Sequence, residues 1–381
     1  MLYKAPRLRP ADLSVLEQVD ALHERLRQSV QRTSTQQRQE LRRLFTAGAV
    51  AASTSIAGYG IDAGDVVTLM DGGRYTEATE KAKTEALAYY QVTEYLHCLQ
   101  KTEGFRYSTE LFNSLHWMLQ WHHHPEDFVG QWRTASLPLA AASKGCASYQ
   151  EPGYEEVPKL MGEFVNWLND DNLGHLGHHV LVRASMAHLN LIKIRPWSSG
   201  NGRMSRSLQA LLVARSGTLP PELASVEEWL GIPSNTRQYD HILRHAGAPV
   251  GTAQTSTLPW IAFCLLAYHQ QAQHIQQRIS LSNECWAHLM DLAETYELKQ
   301  RQVSALHQVA FTGQVRRSHY EKTGTLSTSQ ASRDMRDLLH TGLLTAVGKT
   351  KSRSYRPGPG FPREILKTAQ QPLTLTNPYA S

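Results

Sequence analysis

Arg195-Pro-Trp-Ser-Ser-Gly200-Asn-Gly-Arg203-Met-Ser-Arg206 is the stretch on which the reading of this chain turns. The sequence predicts one long helix before it, from about His178 to Lys193. A second helix is predicted after it, from about Gly202 to Arg215, with Met204, Leu208, Leu211 and Leu212 on one face. A tight Gly-Asn-Gly turn then joins two helices. The backbone N–H groups of such a turn, with the helix N-terminus that follows, form a nest for an anion. Arg203 and Arg206 lie three apart, on one face of the first helical turn, where both can reach phosphate oxygens. Gly200, Asn201, Gly202, Arg203 and Arg206 therefore read as a cradle for a di- or triphosphate, and Arg195 can add a third guanidinium.

Working outward, the chain reads as mainly α. Leu13, Leu16, Val19, Leu22, Leu26 and Val30 recur at helical spacing within 12–50, and 77–100 is dense in good helix formers. Val157, Leu160, Met161, Phe164, Val165 and Leu168 stripe a helix over 155–169, and another long helix is expected over 258–278. Residues 134–153 are rich in Gly, Ser and Ala and read as an exposed β-hairpin flap. Residues 357–381 carry five prolines and read as a loose tail, and no internal repeat is visible.

The segment 296–356 has its own pattern: helices over 298–312, 316–323 and 328–341, then short strands over 343–347 and 352–356. Ser327-Thr-Ser-Gln330 fits a capping box and Gly342 a helix end. Three helices and a hairpin are the winged-helix arrangement. From 298 to 356 there are 11 Lys plus Arg against 3 Asp plus Glu, a balance of +8, while the rest of the chain carries −3. Such a concentration of positive charge is the footprint expected of a double-stranded DNA partner. The expected base-reading helix carries Ser327, Ser329, Gln330, Arg333 and Arg336, and the wing carries Lys349, Lys351, Arg353 and Arg356 for phosphates. The alternative is a protein-interaction or dimerisation module with a solvated basic face.

With 381 residues, 41% hydrophobic and 19% charged, the chain can build two or three cored domains, which excludes disorder throughout. The net charge of +5 by itself identifies no partner. Cys98, Cys146, Cys264 and Cys285 are widely and irregularly spaced, which fits reduced thiols and neither a disulfide framework nor a cysteine zinc site. The first residues have no apolar leader, and the longest near-apolar run, 260–268, is too short to cross a bilayer. A cytoplasmic protein without membrane contact is expected.

The segment 195–206 resembles the loop of the Fic family, His-Pro-Phe-x-Asp/Glu-Gly-Asn-Gly-Arg-x-x-Arg, whose typical members transfer AMP from ATP to a protein hydroxyl. Other stretches are similar to the family as well. Ala187-His-Leu-Asn-Leu191 resembles its helix before the loop, and Gly130-Gln-Trp-Arg133 the strand leading to its target-binding flap. Val226-Glu-Glu-Trp-Leu-Gly231 also matches, and Ser53-Thr-Ser-Ile-Ala57-Gly58 resembles its inhibitory motif. The resemblance covers about 30–290 and implies an N-terminal helical segment over 1–95, a helical Fic core over 96–290 and a winged helix over 296–356. It also implies ATP or another nucleotide as ligand, with Mg²⁺, and a protein target at the 134–153 flap.

The departures decide the chemistry. The family's histidine base is Arg195, which stays protonated and cannot take a proton at neutral pH. Its metal-holding acid is Ser199, a poorer ligand for Mg²⁺ than a carboxylate. Its inhibitory glutamate is Ala57, which leaves Arg206 without that partner. Two functional readings stand: a phosphate-ligand binder, in which ordinary AMP transfer is lost or altered and which acts as a ligand-responsive DNA-binding regulator, or an active nucleotidyltransferase with changed chemistry or residual protein AMPylation. His188 is expected to be structural. His122-His-His124 reads as a solvated turn without flanking acidic ligands, and His175, His178 and His179 as ordinary helix-end histidines, so no metal site is expected.

Overall fold

The computed structural model describes residues 2–73, 78–123, 129–136, 152–170, 179–246, 257–348 and 353–380. Helix α1 (Pro10–Arg32) starts on a proline, where a missing N–H costs nothing, and Asp12 ties back to Arg9. The helical pattern of 12–50 is broken at Ser34, whose Oγ accepts the Gln37 N–H at 3.2 Å and so starts α2 (Thr35–Ile56). Then come α3 (Ala63–Met70), α4 (Glu80–Gln100), α5 (Thr109–Gln120), α6 (Val157–Leu168), α7 (Val180–Ile194) and α8 (Asn201–Arg215). Short helices α9 (Pro221–Ala224) and α10 (Glu227–Leu230) lead to α11 (Pro233–His245) and α12 (Leu258–Thr295).

Helices α7 and α8 lie together at the centre, with Ala184, Ala187, Leu189 and Val213 fully buried. One apolar cluster runs from Val15 to Ile279, across the boundary expected near residue 95. The N-terminal helices are therefore part of the wall around the central pair. α1 lies along α12, and Val19 and Leu26 reach no solvent.

Helix α12 spans 38 residues, well past the expected end near 278. Its first part carries Trp260, Ile261, Leu265 and Tyr268 into the first cluster, and its last part carries Cys285, Leu289 and Ala293 into a second. That second cluster is completed by α13 (Val303–Thr312), α14 (Arg317–Thr323), α15 (Thr328–His340), an antiparallel pair β1 (Leu344–Val347) and β2 (Ser354–Pro357), and α16 (Arg363–Ala369). The Ser327–Gln330 capping box forms, and Gly342 takes φ +72 past the end of α15.

Further sequence expectations change. Residues 357–381 are not a loose tail. Phe361, Ile365 and Ala369 are buried, and the chain then runs back along α12, where Gln270, Gln273 and Gln277 bond Thr374 and Thr376. The prolines interrupt helix there without preventing packing. Gly130-Gln-Trp-Arg133 is not a strand. Gly130 takes φ +75, and the Arg133 N–H donates to Pro196 O at 2.9 Å. The centre of the expected hairpin flap, 137–151, lies outside the described residues, as do Lys349, Lys351, Cys146, His124, His175 and His178. Among the described residues no helix is long and apolar enough to cross a membrane.

Candidate functional site

The loop between α7 and α8 is held by side chains on every side. Arg195 ends α7 in the left-handed region at φ 48, ψ 62, a place where glycine is usual. Its carbonyl accepts from Arg133 Nε at 2.8 Å, while Arg133 Nη2 donates to Pro152 O at 2.6 Å. Asn201 folds back on Trp197: its Nδ2 donates to the Trp197 carbonyl at 2.8 Å and its Oδ1 accepts the Trp197 N–H at 3.2 Å. Asn201 thus shapes the cradle from inside, and its side chain is spent on the loop. Gly200 takes φ +73, and a Cβ there would meet Gln120 Nε2 at 3.0 Å and His116 Nε2 at 3.3 Å.

His116 and Gln120, one turn apart on α5, support the loop from below. The Gly130 N–H donates to His116 Nδ1 at 3.0 Å, so the proton sits on Nε2, which donates to the Ser199 carbonyl at 3.2 Å. Burial pushes the ring down to about 4, and it stacks on Trp197 with centroids 4.6 Å apart. The Ser199 hydroxyl donates to Gln120 Oε1 at 3.2 Å. This position offers no carboxylate, so it does not fit the Mg²⁺ ligand that the resemblance implies.

Two cavities flank the loop. One, of about 360 Å³, is lined by Ala57, Gln120, His123, Arg203, Arg206 and Asp240 among others. The other, of about 510 Å³, is lined by Arg195, Ser198, Asn201, Asp240 and Arg244 among others. Ser199, Gly200 and Gly202 border both. Asp240 is the one carboxylate among the described lining residues. Burial raises its pKa, against the pull of Arg244 and Arg206.

Both cradle arginines are buried and carry carboxylates that the sequence did not point to. Arg203 Nη1 donates to Glu85 Oε2 at 2.7 Å, with 4% and 0% of the two side chains exposed. Glu85 lies 118 residues earlier on α4, and no local spacing connects the two. Burial would raise the Glu85 carboxyl, but Arg203 and His122 hold it low. Arg206, expected to lack a partner opposite Ala57, is instead paired with Glu227 at 3.3 Å. Ser53, at the motif position on α2, takes the rest: Arg206 Nε donates to its Oγ at 3.0 Å and Nη2 to its carbonyl at 3.2 Å. Tyr89 donates to the same Glu227 oxygen. Glu227 lies in the quoted Val226–Gly231 stretch, so the residue was in view but its role was not. Even so, Arg203 Nε and Gln120 Nε2 are shielded from solvent and make no hydrogen bond among the described residues.

His188 is structural, as expected. Its Nδ1 donates to Gln209 Oε1, its Nε2 accepts from Tyr239 OH at 2.8 Å, and burial pushes it down to about 3. His122 and His123 are not a solvated turn. His123 Nε2 lies 2.9 Å from Glu85 Oε1 and His122 Nε2 lies 3.3 Å from Glu85 Oε2, because α4 brings the acid that the sequence near 122 lacks.

The DNA-binding candidates sit elsewhere. Arg333 and Arg336 are exposed on α15, and each bonds only carbonyls of its own helix among the described residues. Arg353 covers Tyr355. Ser327 and Gln330 are spent on the helix cap.

Comparison with known proteins agrees with the loop. The family model described as Fic/DOC family matches residues 106–213. "Protein adenylyltransferase Fic" of Drosophila grimshawi is 38% identical over 96 residues, which is 25% of this chain and 18% of that protein. "Protein adenylyltransferase fic-1" of Caenorhabditis elegans is 38% identical over 73 residues, 19% of this chain and 14% of that protein. The match thus spans less than a fifth of either relative. A crystal structure of a Fic family protein from Desulfovibrio desulfuricans G20 aligns over 94% of this chain and 99% of its own, with TM-score 0.56 and 18% identity. Residues 134–508 of Fic-1 from C. elegans align over 70% of each chain, with TM-score 0.51 and 20% identity. At these identities the structures show the fold.

Proposed function

We propose that this protein, a Fic-family chain through residues 106–213, binds a nucleotide by its phosphates in the crevice around Gly200–Arg206 and has lost or strongly reduced ordinary AMP transfer to hydroxyls. The observation that carries the reading is the pair of buried donors without acceptors among the described residues, Gln120 Nε2 and Arg203 Nε, in the wall that also holds Arg206. Buried donors of this kind are costly unless an acceptor arrives, and phosphate oxygens supply several. The relatives' name, adenylyltransferase, points to ATP.

Arg195 stands where the family has its proton acceptor and always carries its own proton. Losing a general base costs about 10²- to 10⁴-fold in rate. Occupancy can instead be passed along α2. Its end, Ser53, holds Arg206, and Ile56 and Ala57 line the cavity. Its start, Gln37 and Glu40, contacts Ser282, Asn283 and His319 near the basic C-terminal module. In this reading the module is a winged helix that meets double-stranded DNA through Arg333, Arg336 and Arg353, with Lys349 and Lys351 on the wing.

A second reading is favoured by Ala57, which leaves that cavity wall without the inhibitory carboxylate. An already ionised nucleophile, a carboxylate or phosphate, would attack the α-phosphorus without a base, with pyrophosphate leaving as the new P–O bond forms. Arg195 would then stabilise the developing charge.

Calorimetric titration with ATP, with and without Mg²⁺, tests the binding reading against Arg203→Ala. Binding that the variant abolishes is expected; no binding to the intact protein overturns the reading. Transfer of α-label from ATP, lost in Arg195→Ala, would favour the second reading. Arg195→His with Ser199→Asp should raise self-labelling at least about tenfold if only these two positions limit transfer.

A further inference from the structure

Beside the phosphate loop, two imidazoles and a carboxylate converge from two helices. Glu85 on α4 and His122 and His123, just past the end of α5, each place a ligand atom within 4.8 Å of the other two. The Glu85 side chain is 0% exposed, His122 10% and His123 24%. Both ring nitrogens of His122 are shielded from solvent and make no hydrogen bond among the described residues. Among the described residues its Nδ1 lacks the partner that buried polar nitrogens almost always have, and its Nε2 has only the Glu85 carboxylate, 3.3 Å away.

We propose that Glu85, His122 and His123 form a site for a divalent transition-metal ion of the zinc class. Two nitrogens and one carboxylate suit Zn²⁺, Co²⁺ or Fe²⁺, whereas Mg²⁺ prefers oxygen ligands. Three protein ligands leave at least one coordination position open. His123 lines the same 360 Å³ cavity as Gln120, Ser199 and Arg203, so the site borders the phosphate crevice. Arg203 already holds Glu85 Oε2 at 2.7 Å, which orients the carboxylate from behind in the manner of an outer-sphere partner. Its positive charge also weakens cation binding, because Arg203 already neutralises the Glu85 carboxylate. The inference is independent of nucleotide binding, since it concerns the bare ion and this chain's own ligands.

The test is titration of metal-stripped full-length protein with Co²⁺, read by its visible absorption, against His122→Gln and His123→Gln. Circular dichroism and thermal melting confirm that each variant is folded. His123, partly exposed, tolerates replacement better than His122. One equivalent of Co²⁺ with ligand-field bands is expected, displaced by Zn²⁺ and bound at least about 100-fold more weakly by folded His123→Gln. No stoichiometric binding overturns the proposal, and so does binding that His123→Gln leaves unchanged, since other histidines would then hold the ion.

Discussion

The same residue type behaves in opposite ways in the two halves of this molecule. Around the central loop, Arg203 and Arg206 are buried and each is matched to a carboxylate, Glu85 and Glu227. In the C-terminal module, Arg333 and Arg336 are exposed on α15 and, among the described residues, bond only carbonyls of their own helix. The module is not uniformly open, because Asp334 is buried and collects Arg301, Lys299 and Tyr320 OH. A charge count therefore overstates how much of the +8 is available. The buried arginines are structural elements, each held by a carboxylate inside the core. The exposed ones contribute little to the fold and can serve only contacts outside the chain.

Acid should break the comparison most strongly. His23, His97 and His116 are pushed down to about 4 by burial, and His188 to about 3, all in the larger core. In the second cluster His307, at about 3, is the corresponding ring. A histidine lowered on folding stabilises above its unfolded pKa and loses that stability as pH falls from about 6.5 toward the folded value. Each ring then removes about 1.4 kcal/mol per pH unit within the window. His319 runs the other way: burial lowers it, but hydrogen bonds to Asp71 and Glu40 raise it overall. Its contribution is complete below about 6.5 and fades as pH rises through the folded value. Hydrogen exchange followed from pH 7 to pH 5 should show α7 and α8 losing protection before α13 and α15. Equal loss in both would contradict the burial difference.

Removing one buried partner should come next. Arg203→Ala strands Glu85 in the interior and should cost about 3–5 kcal/mol, measured as a lower urea midpoint at unchanged slope. Glu227→Gln should cost less, because Ser53 still bonds Arg206. A shift below about 1 kcal/mol for Arg203→Ala would mean that the pair is solvated in solution.

The smallest stability effect is expected where the binding effect is most specific. Arg333→Ala with Arg336→Ala should leave stability within about 0.5 kcal/mol. If both meet phosphates, the slope of log affinity against log salt on double-stranded DNA should fall by about 2. An unchanged slope would remove them from the interface.

Much of the larger core was legible because it is built from local signals. The Gly-Asn-Gly turn and the α8 stripe there, like the Ser327 capping box in the second cluster, are each set by residues close in sequence, and each formed. The C-terminal tail was misjudged because prolines report on local backbone only. They give no indication that Phe361 and Ile365 have a cluster to enter. Within 12–50 the apolar spacing from Leu13 to Val30 marks helix, while the Ser34 cap alone decides where the first helix gives way to the second.

By itself, the sequence determined that position 195 cannot accept a proton, that position 199 offers no carboxylate and that a Gly-Asn-Gly turn starts α8. These are properties of side-chain chemistry and of adjacent residues, which need no fold to be known. Only the tertiary structure decided what neutralises the cradle. Glu85 meets Arg203 because α4 packs against α8, His122 and His123 reach the same carboxylate because α5 packs against α4, and Glu227 meets Arg206 because α10 packs against α2. Charges far apart in sequence interact only once burial removes the water between them, and packing sets both that distance and that burial.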